Sequence, residues 1–233
     1  MDNKIFNFAK KIIPYPRSIT GSGVRRTLVD IKRIVPELKI RKISSGSKVF
    51  DWSIPLEWKV NDAYIVAPDG KKICEFKKNN LHLMGYSVAV NKILSRKQLE
   101  KRLFSLPKQP NAIPYITSYY KNNWGFCISE NDKKKLKDGR YKVVIDTKHF
   151  KGKLNYGEIL IKGKSKKEVF LSTYICHPSL ANNEISGPSV LTYLAKWINS
   201  KKNKRYSYRI IFIPETIGSI AYLSINLKKL KKN

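Results

Sequence analysis

Two polar segments that follow apolar runs carry the residue types with the clearest chemistry. The first contains His177, Asn182, Asn183 and Glu184, and the second begins with Glu215. Imidazole and carboxylate groups bind zinc, and a carboxylate can also accept a proton from an attacking water. One interpretation is therefore a hydrolytic metal site, in which His177 and Glu184 bind the metal and Glu215 is the general base. The two asparagines would hydrogen-bond a metal ligand or a substrate carbonyl.

The same segments also have a purely structural interpretation. A histidine at the end of a strand is often a packed core residue, and Glu215 could cap the helix that follows it. Asn-Asn-Glu before Ser-Gly is also typical of a turn that enters a helix. The spacing alone leaves the catalytic and the structural interpretation open.

Other catalytic chemistries have less support. The sequence contains no G-x-S-x-G or H-E-x-x-H pattern, and no glycine-rich phosphate loop follows its apolar runs. Cys176 and His177 are adjacent on a predicted strand, so their side chains should point to opposite faces, which argues against a nucleophilic cysteine. His82 and His149 have no companions nearby in the sequence, and we interpret both as structural or exposed.

The elements that must position these groups follow an α/β pattern. Apolar runs at 168–176 and 206–215 predict strands buried on both faces, and a helix follows each of them. This order predicts a parallel pair whose carboxyl ends share one edge of the sheet, so His177 and Glu215 should lie close together. The helix after the first strand, predicted at 186–200, turns five apolar residues inward: Val190, Leu191, Leu194, Trp197 and Ile198.

The chain before these strands divides into two parts. Helices at 4–13 and about 23–35, the second capped by Ser22 or Thr20, lead to a strand at 38–44.

The apolar segments from about 49 to 127 are short, aromatic and rich in proline. They favour a small β-rich module with a hairpin at 68–70 and one helix at 95–106. Strands at 141–150 and 156–163 then predict a second hairpin around Lys151-Gly152-Lys153.

Charge and cysteine content limit the classes of protein. The 233 residues carry 47 basic and 17 acidic side chains, a net charge of +30. Lysine outnumbers arginine and is spread along the chain, which favours a solvated surface over a nucleic-acid interface. No run reaches the roughly 20 apolar residues of a membrane span, and the N-terminus lacks a signal-peptide pattern. Three separated cysteines, an odd number, predict no disulfide framework, so we expect a reducing, cytoplasmic location.

Five segments together resemble a known family: YPRSITGSGVRRTL, VFDWSIPLEW, IPYITSYYKNNWGFC, TYICHPSLANNEISGP and FIPETIGSIAYL. From about Tyr15 to Leu227 the chain is similar to the aminopeptidase-like family found in bacterial polysaccharide and surface-sugar gene clusters. The resemblance implies a zinc-exopeptidase-like (phosphorylase/hydrolase-like) α/β fold, a mixed sheet with flanking helices. The implied domains are an N-terminal part of the core at 1–47, an inserted β-rich domain at 48–140 and the rest of the core at 141–233.

The resemblance also implies roles for particular residues. His177 stands where zinc exopeptidases place their first metal histidine, and Glu215 where they place the general base. Asn183 replaces a bridging aspartate and Thr216 a second glutamate, so the implied site holds one or two zinc ions, with Glu184 as the nearby carboxylate. A later aspartate and histidine ligand are missing from the sequence. We therefore expect a truncated core, the N-terminal part of a longer protein.

Three functions follow as expectations. The first is a metal-dependent hydrolase of an amide bond, in a small peptide or an amino-sugar amide, linked to polysaccharide biosynthesis. The second is a catalytically inactive protein that keeps the peptidase fold as a binding or scaffold module. The third, supported only by the net charge, is a module that binds nucleic acid or an anionic glycan. A homo-oligomer is compatible with each of them.

Overall fold

The computed structural model describes residues 2–119 and 121–232, which form two compact units. One unit consists of the residues up to Glu57 together with those from Phe150 onward, and the other of Trp58–His149. The helices are α1 (Asp2–Ile12), α2 (Ser22–Ile34), α3 (Arg96–Glu100), α4 (Glu130–Lys134), α5 (Ser186–Ser200) and α6 (Ile217–Leu230). The strands are β1 (Lys39–Ser44), β2 (Lys48–Val49), β3 (Trp52–Ser53), β4 (Glu57–Val66), β5 (Lys72–Ile73), β6 (Val90–Ser95), β7 (Leu103–Phe104), β8 (Phe126–Cys127), β9 (Arg140–Phe150), β10 (Lys153–Ile161), β11 (Glu168–Tyr174) and β12 (Ser207–Ile213).

The first unit is built on a four-stranded mixed sheet with the order β1-β10-β12-β11. β10 is antiparallel to both of its neighbours, and β11 is parallel to β12, so that Tyr174 pairs with Ile213. This parallel pair, with α5 between its strands in the chain, confirms the predicted βαβ unit. Helices α1, α2 and α5 pack on one face of the sheet. α6 lies on the other, where Tyr222 contacts Tyr156 edge-on.

The core of this unit lies between the sheet and the three helices. α2 turns Val24, Leu28 and Ile31 inward at helical spacing, and they join Phe212 of β12 in one buried cluster. β10 carries Gly157 where α2 packs, and a Cβ at this position would lie 2.8 Å from Leu28 Cδ2. The absence of a side chain therefore allows the helix to approach the sheet closely.

Arg209 joins three strands on the α6 side of the sheet. Arg209 is almost fully buried, with 1% of its surface exposed. The guanidinium donates to both carboxylate oxygens of Glu168 on β11, at 2.6 and 2.7 Å, and to Glu158 on β10 at 2.6 Å. The hydrogen bonds to Glu168 raise the pKa of the guanidinium above its ordinary value. Because its partners lie on both neighbouring strands, Arg209 stabilises the register of β12.

Three details of the first unit correct the sequence prediction. β11 is not buried on both faces, because it pairs only with β12 within the described residues and lies at the edge of the sheet. α5 leaves Val190 and Trp197 exposed, since only a narrower stripe of the helix faces the core. The N-cap of α2 is Gly21, whose φ of 103° suits glycine, and neither Ser22 nor Thr20 occupies that position.

The second unit contains a four-stranded sheet with the order β5-β4-β9-β6. β4 and β5 form the predicted antiparallel hairpin at 68–70. The helix predicted at 95–106 is only α3, which begins with a capping box at Ser95 and ends at Glu100 before β7. The predicted hairpin around 151–153 is wrong, because β9 and β10 pair with distant strands in different sheets. The predicted domain boundaries stay a prediction.

Within the described ranges, no helix has both the length and the apolar character that a bilayer span requires.

Candidate metal centre

The candidate centre lies at the edge of the sheet where β11 and β12 both end. The chain leaves β11 at Tyr174 and reaches Cys176 and His177, and it leaves β12 at Ile213 and reaches Glu215. The backbone N–H of Glu215 donates to Cys176 Sγ at 3.1 Å. The parallel pairing and this hydrogen bond hold the two segments side by side, as the sequence predicts.

Glu184 reaches the same point from the turn that precedes α5. Its backbone has a φ of 87°, in the left-handed region that non-glycine residues rarely adopt. The residue is 3% exposed. Its carboxylate accepts hydrogen bonds from the backbone N–H of His177 and from Cys176 Sγ, the latter at 3.1 Å, and it also contacts His177 Nδ1. The unusual backbone therefore places a buried carboxylate directly against the imidazole.

The imidazole of His177 lies between two carboxylates. Nδ1 contacts Glu184, and Nε2 lies 3.3 Å from Glu215 Oε2. A neutral imidazole has one N–H and donates to only one carboxylate, so the second contact needs another proton or a cation. The Glu215 side chain is 47% exposed, whereas Glu184 is buried. The centre therefore has one enclosed and one solvent-accessible carboxylate.

Cys176 contributes a neutral thiol to this cluster. Burial raises the pKa of the thiol well above its ordinary value, and the nearby Glu184 raises it further. The protonated sulfur donates to Glu184, an arrangement that argues against a nucleophilic role. The prediction that Cys176 and His177 point apart is wrong, because both residues lie beyond β11, and Sγ is 3.7 Å from His177 Nδ1.

Arg17, for which the sequence predicts no role, binds the backbone of the segment that carries His177. It is 2% exposed, and it donates to the carbonyl of His177 at 3.0 Å and to that of Ile12 at 2.6 Å. Burial lowers the pKa of the guanidinium to about 10, and the Glu184 carboxylate acts in the opposite direction. The only feature of the sequence that could have indicated this role is the choice of arginine after Pro16, in a chain that otherwise favours lysine.

The other predicted site residues are exposed: Asn182, Asn183 and Thr216. The backbone carbonyl of Asn182 accepts a hydrogen bond from the Ser186 hydroxyl at 2.7 Å. Thr216 is the N-cap of α6 and has a φ of 53°. These residues border the centre without joining the buried contacts of His177, and their roles stay predictions.

The cluster offers ligands that suit zinc. One ligand atom each from Cys176, His177 and Glu184 lies within 4.8 Å of the other two. Imidazole nitrogen and carboxylate oxygen are common zinc ligands, whereas a cysteine binds zinc as the thiolate. Because a cation also satisfies an imidazole placed between two carboxylates, the residues fit a zinc ion held by His177 and Glu184.

Solved structures define the class of this fold. A zinc aminopeptidase from Bacillus subtilis superposes with a TM-score of 0.64 and 14% identity, covering 99% of this chain and 65% of that chain. A Peptidase M28 precursor from Shewanella amazonensis gives a TM-score of 0.64 and 10% identity, covering 99% of this chain and 69% of that chain. The fold is therefore that of the zinc exopeptidases, which confirms the predicted fold class.

The family follows from matches over nearly the whole chain. The family described as "Domain of unknown function (DUF4910)" matches residues 6–233, and the chain belongs to this family. A relative from Clostridium acetobutylicum, named as a candidate polysaccharide biosynthesis protein with an aminopeptidase-like domain, is 47% identical over 98% of this chain. The crystal structure of a candidate peptidase from that organism is also 47% identical and has a TM-score of 0.95. The chain spans 52% of that relative and 54% of the crystallised chain, about half of each.

Proposed function

We propose that this chain carries the first metal-binding part of a zinc-dependent, aminopeptidase-like hydrolase that cleaves an amide bond. The placement of His177 between Glu184 and Glu215, at the carboxyl edge of a zinc-exopeptidase fold, is the observation that supports it most. Three of the six described non-glycine residues with left-handed backbone, Ser179, Glu184 and Thr216, lie in the two segments that form this centre, which adds support because strained residues cluster at functional sites.

The side chains divide the chemistry between them. His177 and Glu184 hold the zinc ion, and Glu215, the accessible carboxylate, accepts a proton from the attacking water and passes it to the leaving amine. Zinc, when bound, acts as a Lewis acid on the amide carbonyl. Arg17 holds the carbonyl of His177 and thereby orients the loop that carries the imidazole. Cys176 donates to Glu184 and fixes the direction of its carboxylate.

The substrate proposal is an amide of a small peptide or of an amino sugar. The peptidase fold supports the first, and the polysaccharide biosynthesis named for the Clostridium acetobutylicum relative supports the second. The exposed amides of Asn182 and Asn183, which directly precede Glu184 in the chain, are our candidates for hydrogen bonds to such a substrate.

A catalytically inactive, ligand-binding relative is the second candidate. Asn183 and Thr216 favour it, because an amide and a hydroxyl cannot replace carboxylates as ligands of a second zinc ion. These residues therefore support one zinc ion rather than two. With one zinc ion, any hydrolysis depends on Glu215 as the general base.

Measurement of bound zinc tests whether the His177 segment is a metal site, as in the hydrolase and in the inactive relative, or only a structural turn. Zinc is measured by mass spectrometry in protein reloaded with the metal, beside His177→Ala and Glu184→Ala. His149→Ala and Glu37→Ala, in residues outside the cluster, are the matched controls. We expect zinc in the wild type and in both controls and its loss in both site variants. Glu215→Gln should keep the metal and lose hydrolysis of amide substrates if the chain is catalytic, whereas a binding relative shows no hydrolysis to lose.

The Clostridium acetobutylicum relative, about twice as long, is measured in parallel. Zinc that binds only the longer protein, through the matching histidine and glutamate, shows that the rest of the relative completes the site. Absence of site-specific zinc in both proteins refutes the proposal, and the turn is then structural.

A further inference from the structure

The second unit contains a cavity that the proposed hydrolase does not use. The cavity has a volume of about 430 Å³ and lies between the turn that joins β4 to β5 and the segment from α4 to β9. This volume is within the range of roughly 300–1,000 Å³ that is usual for small-molecule sites. The cavity is therefore large enough to hold an organic molecule of moderate size.

The interior of the cavity is apolar. Ile73, Leu136 and the ring of Tyr141 line it, together with Cys74. Burial raises the pKa of the Cys74 thiol to about 12, so this side chain is neutral. The hydroxyl of Tyr141 donates to the backbone carbonyl of Lys137 at 2.6 Å. The hydroxyl is therefore already paired, and the aromatic ring forms part of the cavity wall. These surfaces suit the hydrocarbon or aromatic part of a ligand.

The rim of the cavity carries an excess of positive charge. Five lysines and three acidic residues line it. Each acid already pairs with a lysine: Asp69 with Lys71 at 3.6 Å, Glu75 with Lys78 at 2.5 Å and Asp132 with Lys135 at 2.8 Å.

Lys72 and Lys137 are the two remaining lysines of the rim. Neither forms an ion pair with an acid among the residues that the structure describes, and the Lys72 ammonium lies 4.1 Å from the centre of the Tyr64 ring. The lining therefore contains two more lysines than carboxylates. The Lys72 ammonium rests on the ring of Tyr64, which is not a lining residue, and the flexible four-carbon stem of the lysine allows it to reach a ligand in the cavity. The hydrogen bond from Tyr141 to the Lys137 carbonyl anchors the backbone that carries the second lysine.

We propose that this cavity binds a small organic anion with an apolar body. The carboxylate, sulfonate or phosphate group of the ligand pairs with Lys72 and Lys137, and its apolar body packs against Ile73, Leu136 and Tyr141. Both halves of the ligand follow from the cavity itself: an uncharged apolar molecule leaves the two ammonium groups unpaired, and a simple inorganic anion leaves the apolar wall uncovered. The site is independent of the His177 cluster.

Two fluorescent probes with similar ring systems test the proposal. 8-Anilinonaphthalene-1-sulfonate carries an anionic group, and N-phenyl-1-naphthylamine lacks it. Binding of each is titrated to the wild type and to the double variant Lys72→Gln/Lys137→Gln. Lys92→Gln/Lys142→Gln is the matched control, because it removes the same charge from exposed positions of β6 and β9 in the same unit.

The expected result is one sulfonate probe bound per chain, with an affinity about three- to tenfold weaker in the cavity variant and unchanged in the control. The neutral probe should bind more weakly than the sulfonate, respond to neither variant, and show little dependence on salt. Backbone amide NMR shifts on addition of the sulfonate should be largest at Ile73, Leu136 and Tyr141.

Three results overturn the proposal. They are equal sulfonate affinity in the wild type and the cavity variant, equal weakening in both double variants, and amide shifts located outside the cavity. The first result shows that Lys72 and Lys137 do not contribute to binding, and the second shows that the probe responds only to the overall charge. The third shows that the probe binds outside the cavity. Substitution of exposed lysines leaves the core intact, so each variant gives an interpretable titration.

Discussion

Replacing Arg209 with methionine removes the cation that joins β10, β11 and β12 and leaves two carboxylates, one on each side of β12, without their shared partner. The guanidinium makes three hydrogen bonds of 2.6–2.7 Å to Glu158 and Glu168. Removal of one partner from a buried charge network costs about 3–5 kcal/mol, because the remaining charges stay desolvated. For a chain of this size, about 2–4 °C in Tm accompanies each kcal/mol, so Tm should fall by about 6–20 °C.

The assay is thermal unfolding followed by circular dichroism, with Arg205→Met as the control. Arg205 is exposed, and its guanidinium contacts only the Tyr206 ring, at 5.2 Å, among the contacts of the described residues. Its loss should therefore change Tm by about 1–2 °C.

The neutral variant Glu158→Gln/Glu168→Gln/Arg209→Met should recover part of the loss, because no buried charge remains unpaired. The raised pKa of Arg209 implies that its stabilising contribution is complete below its ordinary pKa and is lost only at higher pH, so the effect should be constant from pH 6 to 9. A Tm within 2 °C of the wild type for Arg209→Met, or no recovery in the neutral variant, would refute the reasoning.

Further predictions concern the first unit. Arg17→Gln should lower the free energy of unfolding by about 2–3 kcal/mol in urea denaturation, because two buried carbonyls lose their donor, and Arg17→Lys should recover less than half of it. Burial raises the pKa of Asp30, but hydrogen bonds from Lys11 and other donors outweigh this effect and lower it overall. Its stabilisation is therefore present above about pH 4 and lost as the pH falls further, so Asp30→Asn should cost about 1–2 kcal/mol at pH 7 and progressively less in acid. Gly163→Ala should cost about 1–3 kcal/mol, because its Cβ would lie 2.1 Å from the backbone oxygen of Tyr206, and unchanged stability would contradict this contact.

The sequence predicts the parts of the fold that depend on local pattern. Hydrophobic periodicity identifies α1, α2 and α5, the alternation of strands and helices identifies α6, and the continuous apolar run of β12 identifies a buried strand. The meeting of His177 and Glu215 follows from one rule about parallel strands, with no knowledge of the side-chain packing.

The features that the sequence does not predict depend on distant contacts. β9 and β10 are separated by two residues and resemble a hairpin, but their pairing is decided by strands far away in the chain. The position of Glu184 depends on a left-handed backbone at a residue that does not favour it, for which no local pattern exists. Arg17 meets the His177 carbonyl 160 residues later in the chain, and nothing in its own neighbourhood indicates that contact.

The pairing of β1 with β10 has a consequence for the order of folding. Ile43 pairs with Leu154, so this pair closes a loop that contains all of Trp58–His149. Within that segment, β4 and β9, its first and last strands, are neighbours in one sheet, so its folding shortens the effective loop from roughly a hundred residues to roughly twenty and lowers the closure cost by about 1.5 kcal/mol. This difference favours folding of the second unit before β1 and β10 meet. We therefore expect substitutions that slow its folding to delay the assembly of the His177 centre, even though they lie outside the unit that contains it.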